Sequence, residues 1–344
     1  MLRLKGAIQH YAWGDRFALP ELLEVTADGR PWAEIWYGTH PRGPSQIDES
    51  LHLPAPTFLA DEVGELPFLV KLLAAAQPLS LQTHPSAEQA EQGFAREESE
   101  GVPLDSPERI FVDRKAKPEL VICLDGFEAL CGLATREVAL RQCEEAGCSE
   151  LADFVVQMGV ADTFRALVAG PLMVRVGNLT PMISRLLAHH DDVRVTMSIL
   201  MNHVKLSPGE ALYLDAGTVH AYLGGLALEV QGNSDNVVRA LLTEKHTDVR
   251  RFFSIARLDA SGVDVRVPTE RISPTTVAYR CPAPFTVMRH ELNGTFALSA
   301  TTQHTVLVCT SGRLGSLTRG GAAYVAAGES VALEGTATVY TVSA

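Results

Sequence analysis

The chain has 344 residues, 46% hydrophobic and 20% charged, enough to bury roughly three-quarters of its unfolded surface in one or two cores. A formal charge of −12 with dispersed basic residues argues against nucleic acid as a partner. No apolar run approaches the ~20 residues of a membrane span, the start MLRLKGAIQHYAWGD lacks a secretory core, and the six cysteines are too sparse for a disulfide framework, so a cytoplasmic protein free of membranes is expected.

From Pro67, PFLVKLLAAAQPLSL reads as two short strands broken near Gln77-Pro78, and KPELVICLDGFEALCG (117–132) as a hairpin-like pair turning at Asp125-Gly126. Between them, Ser86-x-x-Gln89 is a capping box opening one short helix, and Glu97 to Pro107 reads as an acidic, Pro/Gly-containing loop suited to a lid. Residues 135–203 change character. Leu151, Phe154, Val155 and Met158 recur at helical spacing, and Thr180-Pro181 is an N-cap with proline at N1 before Ile183, Leu186 and Leu187. From Val204 the β signals return in LSPGEALYLDAGTVHAYLGG, and residues 260–344 supply many short strands punctuated by Gly and Pro. The fold class expected is mainly β with a helical insert.

In Ser80-Leu81-Gln82-Thr83-His84 the strand alternation puts Ser80, Gln82 and His84 on one face. Burying them unpartnered would cost on the order of 1–3 kcal/mol each, so either something polar meets them or this is a solvated edge strand. Downstream, Gly209-EALYL-Asp215-Ala-Gly217-Thr-Val-His220-Ala-Tyr222 sets His220 after a glycine turn, with Tyr222 on the same strand face. The pattern resembles the second cupin motif, with Asp215 where proline is usual. Taken with Gln82, His84 and Glu119, it proposes a four-ligand site of two imidazoles, one carboxylate and one amide oxygen, suited to Zn²⁺ with room for water or substrate.

The segments PLSLQTHPS, KAKPELVICLDGFEALCG, LDAGTVHAY and LEVQGNSDNVVRALLTEK, together with YAWGD and WAEIWYGTHPRGPS, resemble type I phosphomannose isomerases. The resemblance implies double cupin (jelly-roll) barrels plus an α-helical domain: residues 1–134 plus 204–255 as a metal-binding catalytic unit, 135–203 as the insert, and 256–344 as a metal-free β unit. It implies one zinc per chain, held by Gln82, His84, Glu119 and His220. It also implies an aldose–ketose isomerase that interconverts mannose 6-phosphate and fructose 6-phosphate through a cis-enediol(ate). The sequence departs from the family at Lys115-Ala116, where Asn-His is common, at Leu241, where glycine is usual, and at Glu244, where proline is common.

Such a reaction needs a base at carbon, a Lewis acid at the oxygens and an anchor for the phosphate. By resemblance the anchors are Lys71, Ser80, Arg239 and Lys245. Arg239 stays protonated and suits stabilising negative charge better than abstracting a proton. Asp235, Lys117, Glu229, Tyr222 or a zinc-bound water are the candidate bases, with Asp235 and Lys117 preferred because charges near a metal shift their pKa values usefully. Two competing readings are a cupin enzyme using another metal and substrate, and a sugar-phosphate sensor without turnover. A monomer acting on a small sugar phosphate is the expectation.

Overall fold

Strand Phe68–Ala75 is buried along all eight residues, as an apolar run covered on both faces should be. The computed structural model of the chain describes residues 1–48, 57–260, 266–299 and 302–344. Within it, Phe68–Ala75 lies inside a nine-stranded sheet ordered Val238–Leu241, Leu81–Thr83, His220–Gly232, Phe68–Ala75, Glu34–Tyr37, Ala7–Gln9; strand Glu119–Leu133 pairs with His220–Gly232 and with Met201–Leu206 and Ala211–Leu214. The break at Gln77-Pro78 falls where expected, between Phe68–Ala75 and Leu81–Thr83.

An eight-stranded sheet holds the C-terminal strands from Thr269–Ser273 to Val331–Ser343, and it also recruits Leu2–Lys5 and Gln46–Ile47. Leu4 stands opposite both Ala322 and Ile47, so strand Leu2–Lys5 belongs by pairing to the C-terminal sheet rather than to the nine-stranded one. One apolar core joins the two sheets, with Val70, Leu72, Ile122 and Leu228 from the first meeting Val306, Val308, Tyr324 and Val342 from the second.

The expected hairpin at Asp125-Gly126 is instead one strand, Glu119–Leu133. Gly126 bends it at φ +46°, and its pairing with His220–Gly232 slips register nearby, so the Asp-Gly pair makes an irregularity rather than a turn. Helix Ala87–Ser99 opens on the Ser86/Gln89 capping box and runs into the segment read as a lid, where buried Glu97 pairs with Arg109 at 3.1 Å. Helices Arg136–Glu145, Ser149–Ala169 and Pro181–His189 and the 3-10 helix Val193–Leu200 make up the insert. In Ser149–Ala169, Leu151 and Val155 are buried, whereas Met158 is exposed just before a kink at Gly159. Among the described residues no helix is long and apolar enough to cross a membrane.

Candidate metal centre

Register alone brings much of the site together. His220 lies opposite Gln82, and Arg239 lies on the other side of Gln82, so three adjacent strands carry one polar row. In the next strands Trp36, Lys71, Glu229 and Val121 form a second row. The turn before His220 requires glycine: Gly217 has φ +78°, its N–H donates to the His84 carbonyl at 2.9 Å, and a Cβ there would lie 2.9 Å from the Ile255 carbonyl oxygen.

His84, Glu119 and His220 are all buried, and one ligand atom from each lies within 4.8 Å of the others. His84 Nε2 is 3.2 Å from Glu119 Oε1, and His220 Nε2 is 3.8 Å from Glu119 Oε2. The second nitrogen of each ring meets a main-chain carbonyl: His84 Nδ1 donates to Asn236 O at 2.8 Å and His220 Nδ1 to Thr218 O at 2.9 Å. A carbonyl can only accept, so both Nδ1 atoms carry the proton and both Nε2 lone pairs face the cluster. His84 Nε2 is buried without a hydrogen-bond partner. Gln82 completes the ring, its amide 3.2 Å from His220 Nε2 and its carbonyl oxygen accepting from Ser80 Oγ at 2.7 Å. Burial, reinforced by its neighbour His84, pushes the His220 imidazole down to about 4, which keeps it neutral and able to ligate.

The surrounding charges are tightly paired. Lys117 Nζ is 3.1 Å from Glu119 Oε1, and Tyr222 donates to Glu119 Oε2 at 2.8 Å and to Glu229 Oε1 at 3.0 Å. Lys71, expected as a phosphate anchor, is buried with its Nζ 3.0 Å from Glu229 and 3.5 Å from Glu34, and lies over the Trp36 ring. Burial raises the Glu119 carboxyl, but Lys117 and His84 outweigh it and hold the group well below the usual range. Burial, with Glu119 and Glu34 nearby, leaves Glu229 raised despite Lys71. Three buried carboxylates thus face two ammonium groups and two neutral imidazoles. One negative charge is uncompensated, and one imidazole nitrogen is unpartnered; a divalent cation satisfies both.

Asp235 Oδ2 accepts from Arg42 Nη1 at 3.3 Å and lies 3.4 Å from His40 Nε2, and Arg239 is half-buried within its electrostatic reach. Lys245 is exposed, its Nζ over the Tyr11 ring at 5.1 Å. Glu34, His40, Arg42, Asp113 and Asn236 join the site without any mark in the sequence pattern. WAEIWYGTHPRGPS contains the first three, but nothing in its local pattern marks them as facing Lys71 and Asp235.

A family model described as phosphomannose isomerase type I, catalytic domain, matches residues 1–135. The mannose-6-phosphate isomerase of Escherichia coli (strain K12) is 37% identical over 298 residues, covering 76% of this chain and 75% of its own. The human mannose-6-phosphate isomerase is 29% identical over 96% of this chain and 94% of its own. A crystal structure of the Salmonella typhimurium mannose 6-phosphate isomerase bound to substrate and zinc matches with a TM-score of 0.85 at 29% identity, over 99% of this chain and 98% of that one.

Proposed function

The chain belongs to the type I phosphomannose isomerase family, and from that premise we propose that it binds one zinc ion through Gln82, His84, Glu119 and His220 and interconverts mannose 6-phosphate and fructose 6-phosphate through a cis-enediol. The observation that carries the reading is the buried cluster of two lone-pair-presenting imidazoles around one carboxylate. Bound zinc would supply Lewis acidity to the sugar's carbonyl and hydroxyl oxygens.

Every other part falls to the chain. Asp235, oriented by His40 and Arg42, serves as the base that takes the proton from one carbon and returns it to the other. The Lys117 ammonium, beside Glu119, holds a proton for the sugar oxygens, and Tyr222 keeps its own between Glu119 and Glu229. Arg239 stabilises negative charge without losing its proton. Ser80, Arg239 and Lys245 form the phosphate anchor, while Lys71 neutralises Glu229 and Glu34. We read each large sheet as one cupin barrel. The catalytic unit is 1–134 plus 204–255 without the two strands lent to 256–344, and 135–203 is the insert.

The deciding experiment measures zinc per chain and turnover of mannose 6-phosphate, before and after chelation, with unphosphorylated mannose as comparator. One zinc, chelator-sensitive turnover and a strong preference for the phosphorylated sugar are expected. Protein that holds its zinc and turns over neither sugar overturns the isomerase reading; full activity without stoichiometric metal overturns the zinc site.

A further inference from the structure

We propose that Asp113 and Asn236 form a clasp that positions His84 and Asp235 together, joining the two irregular segments 111–118 and 233–237. The Asp235 half rests on the isomerase reading; the His84 half rests only on geometry.

Asn236 is fully buried and every polar atom of its side chain is used. Its Oδ1 accepts from the N–H groups of Val112 at 2.9 Å and Asp113 at 3.3 Å, while Nδ2 donates to Asp113 O at 2.9 Å, Asp113 Oδ1 at 3.0 Å and Lys115 O at 2.9 Å. Asp113 answers from the other side. Its Oδ2 accepts the Asp235 N–H at 3.0 Å, and its Oδ1 accepts Ser234 Oγ at 2.9 Å and the Lys115 N–H at 2.8 Å. Neither segment has a helix or strand to satisfy its main chain, so these two side chains do that work.

Their placement gives the clasp its role. The Asn236 carbonyl is the group that accepts from His84 Nδ1 and so fixes which nitrogen of that ring faces the metal cluster. The preceding residue, Asp235, has its main chain anchored to Asp113. Two residues beyond Lys115 is Lys117, the ion-pair partner of Glu119. A shift of one segment against the other therefore misplaces a ligand, an acid–base group and a cation at once, and small misplacements are costly in catalysis. Asparagine is required at 236 because a carboxylate there would aim oxygen at two carbonyls and at Asp113, where the amide now aims two donors.

The test uses the zinc-loaded protein and compares Asn236→Asp and Asp113→Asn with Val339→Ala, a core truncation in the other sheet. Zinc affinity against a competing chelator, kcat and KM for mannose 6-phosphate, and melting temperature are measured for each. For Asn236→Asp we expect zinc affinity to weaken about 10- to 100-fold and kcat to fall at least about tenfold, with KM changed by less than about threefold. Asp113→Asn should move the same quantities in the same direction, and it carries the test alone if Asn236→Asp does not fold. Val339→Ala should lower the melting temperature and leave zinc affinity and kcat unchanged. Clasp variants that melt lower but keep the unmodified zinc affinity and kcat overturn the proposal. If the unmodified protein turns over no sugar phosphate, the isomerase reading fails, and zinc affinity still decides the His84 half.

Discussion

Histidines are buried at both sheets, and the two sheets use them differently. In the C-terminal sheet, His290 meets the Thr276 hydroxyl at 3.1 Å through Nδ1 and the Thr341 hydroxyl at 3.0 Å through Nε2, beside Phe296. A hydroxyl can donate or accept, so both ring nitrogens are satisfied and neither points into an open polar space. At the other sheet the His84 and His220 rings are each tied by Nδ1 to a main-chain carbonyl, which leaves Nε2 aimed at the cluster. Burial does not make a histidine a ligand. The kind of partner on its outer nitrogen does.

By that contrast, the largest effects belong to the metal-facing sheet. Glu119→Gln and His220→Ala should each reduce zinc from near one per chain to a small fraction and lower turnover at least about 10³-fold, because a site loses affinity steeply with each ligand; metal analysis, the isomerase assay and circular dichroism check loss of function against retained fold. Lys71→Met should come next, as an effect on stability. It strands Glu34 and Glu229 as buried carboxylates and should cost about 3–5 kcal/mol in denaturant unfolding; a cost below about 1 kcal/mol would mean these charges are not mutually compensated.

Arg239→Ala should leave zinc content unchanged while lowering kcat/KM for mannose 6-phosphate by about 10²-fold, or ~2.7 kcal/mol. An equal loss with unphosphorylated mannose would remove Arg239 from the phosphate anchor. The smallest effect is the pH response of the C-terminal sheet. Burial holds the His290 imidazole down to about 4, whereas in an unfolded chain it titrates near about 6.5. As pH falls, the unfolded state therefore takes the proton first. This contribution is fully present above the unfolded value and declines toward the folded one, by on the order of 2 kcal/mol. His290→Gln should flatten that decline, seen as a smaller drop in denaturant midpoint between neutral pH and about pH 4.5.

What could be read from the sequence follows from how local each signal is. The alternation that puts Gln82 and His84 on one face, the glycine turn before His220, and the Thr180-Pro181 helix start are written within a few residues, and all three have their structural counterpart. The Asp125-Gly126 pair misleads for the same reason, since turn chemistry also suits a bulge inside a long strand. Asp113 and Asn236 look like ordinary loop residues until 123 positions of chain bring them together. The Glu34–Lys71 pair likewise depends on a strand register that no local periodicity specifies.

The pairing of Leu2–Lys5 with Ala322–Val325 has a consequence for the making of the protein. These strands are separated by roughly 320 residues, which at ribosomal rates of about 5–20 residues per second is a delay of about 15–60 s. For that interval Leu2–Lys5 can pair only with Gln46–Ile47 on one side, and the edge that Ala322–Val325 covers in the finished sheet is open to strands of neighbouring nascent chains. Nascent chains stalled before Ala322 would therefore associate through this one open edge, and a charged residue in place of Leu4 would suppress this while weakening the finished sheet.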